Sequence, residues 1–274
     1  MSGLRISILV EDQARMGFHD KIFLAQHGFS VFVEAGTRVL FDTGASDVLL
    51  RNAELLGIDL STADTIVLSH GHWDHADGLC VLPDYPVKKK LLAHPDVFRD
   101  RHRASGEFNG MTMTSETARD KFDLVLSKEA VEIAEGVYFL GEIPRQNEFE
   151  AQKTSFFYFE QGKSHADFLP DDTALAIKTI KGLAIITGCS HAGICNIVEH
   201  AKRVCNEERI HLVLGGFHLL GDTGQLGRTV EYFKKHPVDH LYPMHCTDLH
   251  SLAKFHEAFR IKKLCAGDII QVCQ

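Results

Sequence analysis

Short apolar runs, cut by glycines and polar pairs, set the rhythm of the chain. Residues 4–10 alternate in the manner of a half-buried strand. Residues 28–34 and 37–41 are apolar-rich and meet at Ala35-Gly36, which predicts a β-hairpin. The pattern recurs at 131–134 with 137–140, joined by Glu135-Gly136, and at 173–180 with 183–187, joined by Lys181-Gly182. Further short strands are expected at 64–69, 91–94, 211–214, 241–244 and 268–272. Helical spacing marks 45–56 through Val48, Leu49, Leu55 and Leu56, and 194–205 through Ile194, Ile197, Val198 and Ala201. Helices are also expected at 76–82, 229–236 and 249–259. Residues 11–26 are polar and read as a loop able to border a site. From 95 to 126 no clean period survives, so this stretch reads as an insertion or lid.

Strands and hairpins thus alternate with βα units in both halves, without a sequence repeat. That order predicts an α/β fold, two sheets packed together with helices on both outer faces, as a single domain over 1–274. With 45% hydrophobic and 24% charged residues, the 274-residue chain has the composition of a soluble globular protein with ample core. A net charge of −8 argues against nucleic acid and anionic membrane surfaces as partners. No apolar run approaches the roughly 18 residues of a membrane span. The seven cysteines are odd in number and form no C-x-x-C pair, and no secretory signal opens the chain. A reduced, cytoplasmic setting is expected. The expected partner is a small-molecule substrate; nothing in the sequence sets an oligomeric state.

The chemistry concentrates after the 64–69 strand, in Ser69-His70-Gly71-His72-Trp73-Asp74-His75. His70 and His72 are two apart, so in extended chain they point the same way and can grip one ion. Asp74 and His75 follow as the chain turns toward a second ion. Three more predicted strands end in His191, His218 and His245, and strand ends on one side of a sheet converge on one rim. The expected metal ligands are His70, His72, Asp74, His75, His191 and His245, with His218, Cys189 and Asp172 in reserve. Cys189 and Cys246 flank candidate ligands, but such a cysteine is more often a small buried apolar residue. Asp42, before Thr43-Gly44, can buttress a ligand, cap the next helix, or do both. Arg145, or Arg99, Arg101, Arg103 or Arg119, is a candidate anchor for an anionic group.

H-x-H-x-D-H behind a buried strand, Asp42-Thr43-Gly44 upstream and a late strand closing on His245 resemble the metallo-β-lactamase superfamily. The resemblance implies an αββα sandwich of the metallo-β-lactamase type with a dinuclear metal site at one edge. Gly141-Glu-Ile-Pro-Arg145, Gly188-Cys-Ser-His-Ala-Gly193, Gly215-Gly-Phe-His-Leu219 and His245-Cys-Thr247 are similar to one subgroup. Its members are named as 7,8-dihydropterin-6-methyl-4-(β-D-ribofuranosyl)aminobenzene-5′-phosphate synthase-like proteins, which implies a phosphorylated pterin or aryl-riboside substrate. Cys189 departs from many dinuclear members, which carry a metal-bridging Asp there. The expectation is therefore metal-assisted hydrolysis with two divalent ions, zinc first and iron or manganese as alternatives. His70, His72 and His191 would hold one ion and Asp74, His75 and His245 the other, with Asp74 also catalytic. The competing readings are an iron-dependent redox enzyme on the same fold and a metal-binding protein without turnover.

Overall fold

The computed structural model describes residues 3–19, 21–221 and 224–272. In chain order these form β1 (Leu4–Val10), β2 (Ser30–Glu34), β3 (Arg38–Phe41), α1 (Val48–Leu56), β4 (Thr65–Val67), α2 (Trp73–Ala76), β5 (Lys90–Ala93) and β6 (Asp100–Arg103). There follow α3 (Ser115–Lys121), β7 (Asp123–Leu126), β8 (Val131–Ala134), β9 (Val137–Phe139), β10 (Phe156–Glu160) and β11 (Lys163–Ala166). The last third holds β12 (Ala174–Thr179), β13 (Gly182–Thr187), α4 (Ile194–Cys205), β14 (Ile210–Gly215), α5 (Gly224–Lys235), β15 (Val238–Pro243), α6 (Leu249–Phe259) and β16 (Ile269–Val272).

One sheet runs β16-β1-β2-β3-β4-β5-β7 and a second runs β15-β14-β13-β12-β9-β8. Their inner faces share one core, in which Ile6, Ile8 and Val31 of the first meet Leu175, Ile186 and Leu212 of the second. The outer face of the first sheet is covered through Leu49, Ala53, Leu79 and Phe122. The outer face of the second is covered by α4, α5 and α6 through Ile197, Ala201, Phe233 and Phe255. The chain is thus an αββα sandwich. Among the described residues, no helix is long and apolar enough to cross a membrane.

Strand polarity positions the site. β13, β14 and β15 are mutually parallel, as are β3, β4, β5 and β7, so their carboxyl ends gather at one edge. There the sheets are tied together, because Thr173 N donates to Ser69 O at 2.9 Å.

Three expectations change. The helix after the histidine cluster begins at Trp73, earlier than residue 76, and runs into a 3-10 turn at Asp77–Cys80. Asp74 and His75 therefore ride its first turn. The helix predicted at 229–236 likewise starts at Gly224. The stretch 95–126 divides: α3 and β7 join the first sheet layer, with Ala118, Phe122, Met111 and Met113 in its core, and only β6 lies outside it. β6 pairs with β10, which pairs with β11, in a small third sheet. The run Phe156-Phe-Tyr-Phe-Glu160 is aromatic, as strands favour, and this hairpin is legible in hindsight.

Candidate metal centre

The cluster is braced from behind by Asp42. Its Oδ1 accepts the Ser69 amide at 2.7 Å. Its Oδ2 accepts Ser69 Oγ at 2.7 Å and faces His75 Nδ1 at 2.8 Å. A carboxylate only accepts, so the single hydroxyl proton of Ser69 is committed to Asp42. Ser69 Oγ, 2.9 Å from His70 Nδ1, must then accept from that ring. Both His70 and His75 therefore carry their proton on Nδ1 and present an Nε2 lone pair to the site. Of the two roles open for Asp42, this is the buttress; α1 begins after Asp47 instead.

His70 Nε2 lies 3.0 Å from His72 Nδ1. His191 Nε2 is buried without a hydrogen-bond partner among the described residues, and ligand nitrogens of His70, His72 and His191 lie within 4.8 Å of one another. Two nitrogens on one tetrahedral zinc stand roughly 3.3 Å apart, given Zn–N of about 2.0–2.1 Å. The donor set fits a divalent ion in both spacing and type. Burial, reinforced by neighbouring imidazoles, pushes His70 and His72 well below the usual imidazole range, which keeps them in the neutral, ligating form. Burial, with His218 and His70 beside it, does the same for His191.

The second set surrounds Asp74. Its Oδ2 is 3.4 Å from His245 Nε2 and 3.9 Å from His75 Nε2. His245 is oriented by Asp12, whose Oδ1 lies 2.9 Å from His245 Nδ1. Burial opposes a charge on His245, yet Asp12 and Asp74 outweigh it and push its pKa well above the ordinary value. Burial also works against the Asp74 charge, but His75, His245 and His27 hold its carboxyl well below the usual range. Sequence reasoning missed Asp12 and His27. His27 Nε2 lies 3.3 Å from Asp74 Oδ2 and its Nδ1 lies 3.2 Å from Asp12 Oδ1. Both come from the 11–27 segment, where no periodicity or spacing singles them out.

The remaining candidates take different places. His218 lies beside His191, its ring tilted 50° to it at 4.2 Å between centres, and lines the cavity. Asp172 is buried behind the turn that carries His191, where it accepts the Ala192 amide at 2.8 Å; burial pushes its carboxyl up to about 7. It holds the turn. Arg145 donates to the carbonyls of Phe168 and Leu169, and so braces backbone instead of facing substrate. Arg101 is fully buried between Asp167 and Asp171. Arg99 pairs with Asp96 and lies over Tyr158, and Arg119 borders a separate surface cleft. Arg103 is the arginine that reaches the site cavity.

That cavity, about 520 Å³, opens over Asp74, His72, His191 and His245. Arg103, Ser105, Asn109 and Ser155 form a polar wall, and Phe156 of β10 lies 5.0 Å from the His72 ring centre.

A sheet sandwich with imidazoles and a carboxylate gathered at one rim, as a candidate metal site, marks a recognisable class of protein. The family model of the metallo-β-lactamase superfamily matches residues 25–202, and the chain belongs to that superfamily. Among its relatives is an uncharacterized protein of Methanocaldococcus jannaschii, 38% identical over 91% of this chain and 93% of that one. A second is the 7,8-dihydropterin-6-methyl-4-(β-D-ribofuranosyl)-aminobenzene-5′-phosphate synthase of the same organism, 32% identical over 99% of this chain and 97% of that one. Among solved structures, Tm1679, a metal-dependent hydrolase of the β-lactamase superfamily, superposes with a TM-score of 0.87 at 32% identity. That match covers 99% of this chain and 100% of Tm1679.

Proposed function

We propose that the protein is a metal-dependent hydrolase acting on a small anionic, phosphorylated substrate. The observation that carries this reading is the gathering of His70, His72 and His191 within 4.8 Å, beside Asp74, whose Oδ2 lies 3.4 Å from His245 Nε2 and 3.9 Å from His75 Nε2. Two divalent ions, zinc in the first instance, would be held there and would supply Lewis acidity and a water of lowered pKa. The chain's own residues do the rest. Asp12 and Asp42 fix the orientation of His245 and His75. Asp74, ionised and beside His27, is placed to orient a water at the second position. Phe156 lines the cavity beside the His72 ring.

Arg103 makes the substrate anionic in this reading. Its Nε is fixed by Asn109 Oδ1 at 3.0 Å, which turns the guanidinium toward the cavity that Ser105 and Ser155 share. A guanidinium fork suits a phosphate. The synthase relative favours a second reading, in which the same site joins two molecules and an acceptor takes the place of water. Product analysis separates them.

The test is metal content by elemental analysis on protein purified without chelator, beside turnover of a panel of phosphoesters and lactones. About two ions per chain, and hydrolysis of a phosphorylated member that weakens at least 10-fold in KM on Arg103→Met, are expected. Folded protein that holds no ion would overturn the reading.

A further inference from the structure

Beside the main cavity lies a smaller one of about 100 Å³, and the two share Ser155, Phe156, His191 and His218 along their border. Their linings differ in charge. Asp12, Asp74 and Asp248 line the main cavity, whereas no carboxylate lines the smaller one, in a chain of net charge −8. Lys153 and the Gln225 amide line it instead. We propose that this side cavity is a second anion subsite, which takes a terminal phosphate or carboxylate of the same substrate, away from the bond that breaks.

Three observations carry the assignment. Lys153 is a cation without a partner: among the described residues its ammonium makes no hydrogen bond and no ion pair. Nearby arginines are committed, Arg101 to Asp167 and Asp171, Arg99 to Asp96, and Arg145 to backbone carbonyls. Next, the chain itself fixes the walls. Glu150 is buried, and its carboxylate accepts the Cys195 and Asn196 amides, each at 2.9 Å, which ties the start of the loop to α4. Thr154 Oγ1 donates to the Asp167 carbonyl at 2.6 Å and accepts the Phe156 amide at 3.1 Å. Lys153 thus sits between two anchored points. Arg145 likewise holds the carbonyls of Phe168 and Leu169, which also line the cavity. Last, the size is that of a terminal group. A water takes about 30 Å³, so the space equals roughly three waters, less than the roughly 150 Å³ in which a benzene fits.

His218 stands at the border with its Nδ1 buried and without a hydrogen-bond partner among the described residues, so the passage between the cavities is itself polar. Arg103 lines the main cavity and Lys153 the smaller one. A substrate that reaches both carries two anionic groups.

The inference rests on the reading above that the main cavity binds a phosphorylated substrate, and the experiment tells the two failures apart. The whole protein, with the metal it carries on purification, is titrated by calorimetry with alkyl monophosphates of increasing length. Matching chains that end in a second phosphate or in a carboxylate follow, and the series that gains affinity names the group. Beyond some length a two-ended probe is expected to bind about 5-fold more tightly than its monophosphate, the scale of one partly solvated ion pair. Lys153→Met abolishes that gain and leaves monophosphate affinity unchanged, while Lys153→Arg keeps it. Arg103→Met weakens both kinds of probe and leaves their ratio in place. No gain at any length, or a gain that survives Lys153→Met, would overturn the inference and leave the phosphorylated-substrate reading standing. Protein that binds no monophosphate, yet gains affinity from the second anion through Lys153, would sink that reading and keep the subsite. Protein that binds none of the probes would sink both.

Discussion

Asp42 sits in left-handed backbone, at φ 55°, a conformation that aspartate tolerates better than most residues. From there one carboxylate reaches the Ser69 amide, the Ser69 hydroxyl and His75 at once. Asp42→Asn replaces an acceptor oxygen by a donor and removes the charge that holds His75. Metal affinity is expected to fall about 10–100-fold while the protein stays folded, measured by competition with a chromophoric chelator. Gly188 acts through what it lacks. Gly188→Ala forces a methyl into Ser69 Oγ and Asp42 Oδ2, 2.1 and 2.9 Å from its position. Overpacking of this kind costs about 1–3 kcal/mol, to be read from a denaturant midpoint. His27 and Asp12 were invisible in the sequence because a lone histidine and a lone aspartate in a polar loop carry no pattern. Their role exists only once the loop folds back to His245 and Asp74.

At the scale of elements, β6 shows how a charge can mislead. An arginine in a polar stretch reads as solvated or substrate-facing, yet Arg101 holds Asp167 at 2.7 Å and forms a paired contact with Asp171. Asp171 in turn accepts the Gly71 amide at 2.8 Å, so the ion pair pins the segment between His70 and His72. Arg101→Met strands two buried carboxylates and is expected to cost about 3–5 kcal/mol by denaturant titration. Burial raises the Asp171 pKa, but the charge and hydrogen bonds of Arg101 outweigh it, so the folded value lies below the unfolded one of about 3.9. A depressed carboxylate contributes its stability above the unfolded pKa and loses it as pH falls toward the folded one. Stability should therefore decline below about pH 4, and decline less steeply in Arg101→Met, where the pairing is already gone. Urea titrations across that range check both slopes.

For the molecule as a whole, the rim is where two sheets from distant parts of the chain meet, and ions held there would tie the first sheet to the second. Metal held by these side chains would bind the folded state alone, so its removal should lower the melting temperature, and its return should restore it. At free metal about 100-fold above Kd the difference is about 2.7 kcal/mol. A melting curve unmoved by a chelator, in protein shown to have carried metal, would contradict this coupling.

The sequence by itself determined the layers and the heart of the site. Period-two and helical spacing are local, and so are the hairpin glycines and the run from His70 to His75. Each is set by neighbours in the chain, and each was legible. The parallel strands that end in His191, His218 and His245 could be foreseen because strand ends share one rim. Only the tertiary structure decided which loop donates Asp12 and His27, and that Arg101 is buried and Arg103 is not. Those outcomes depend on distances between residues far apart in sequence. Such distances follow from how two sheets pack, and packing leaves no trace in the spacing of any single segment.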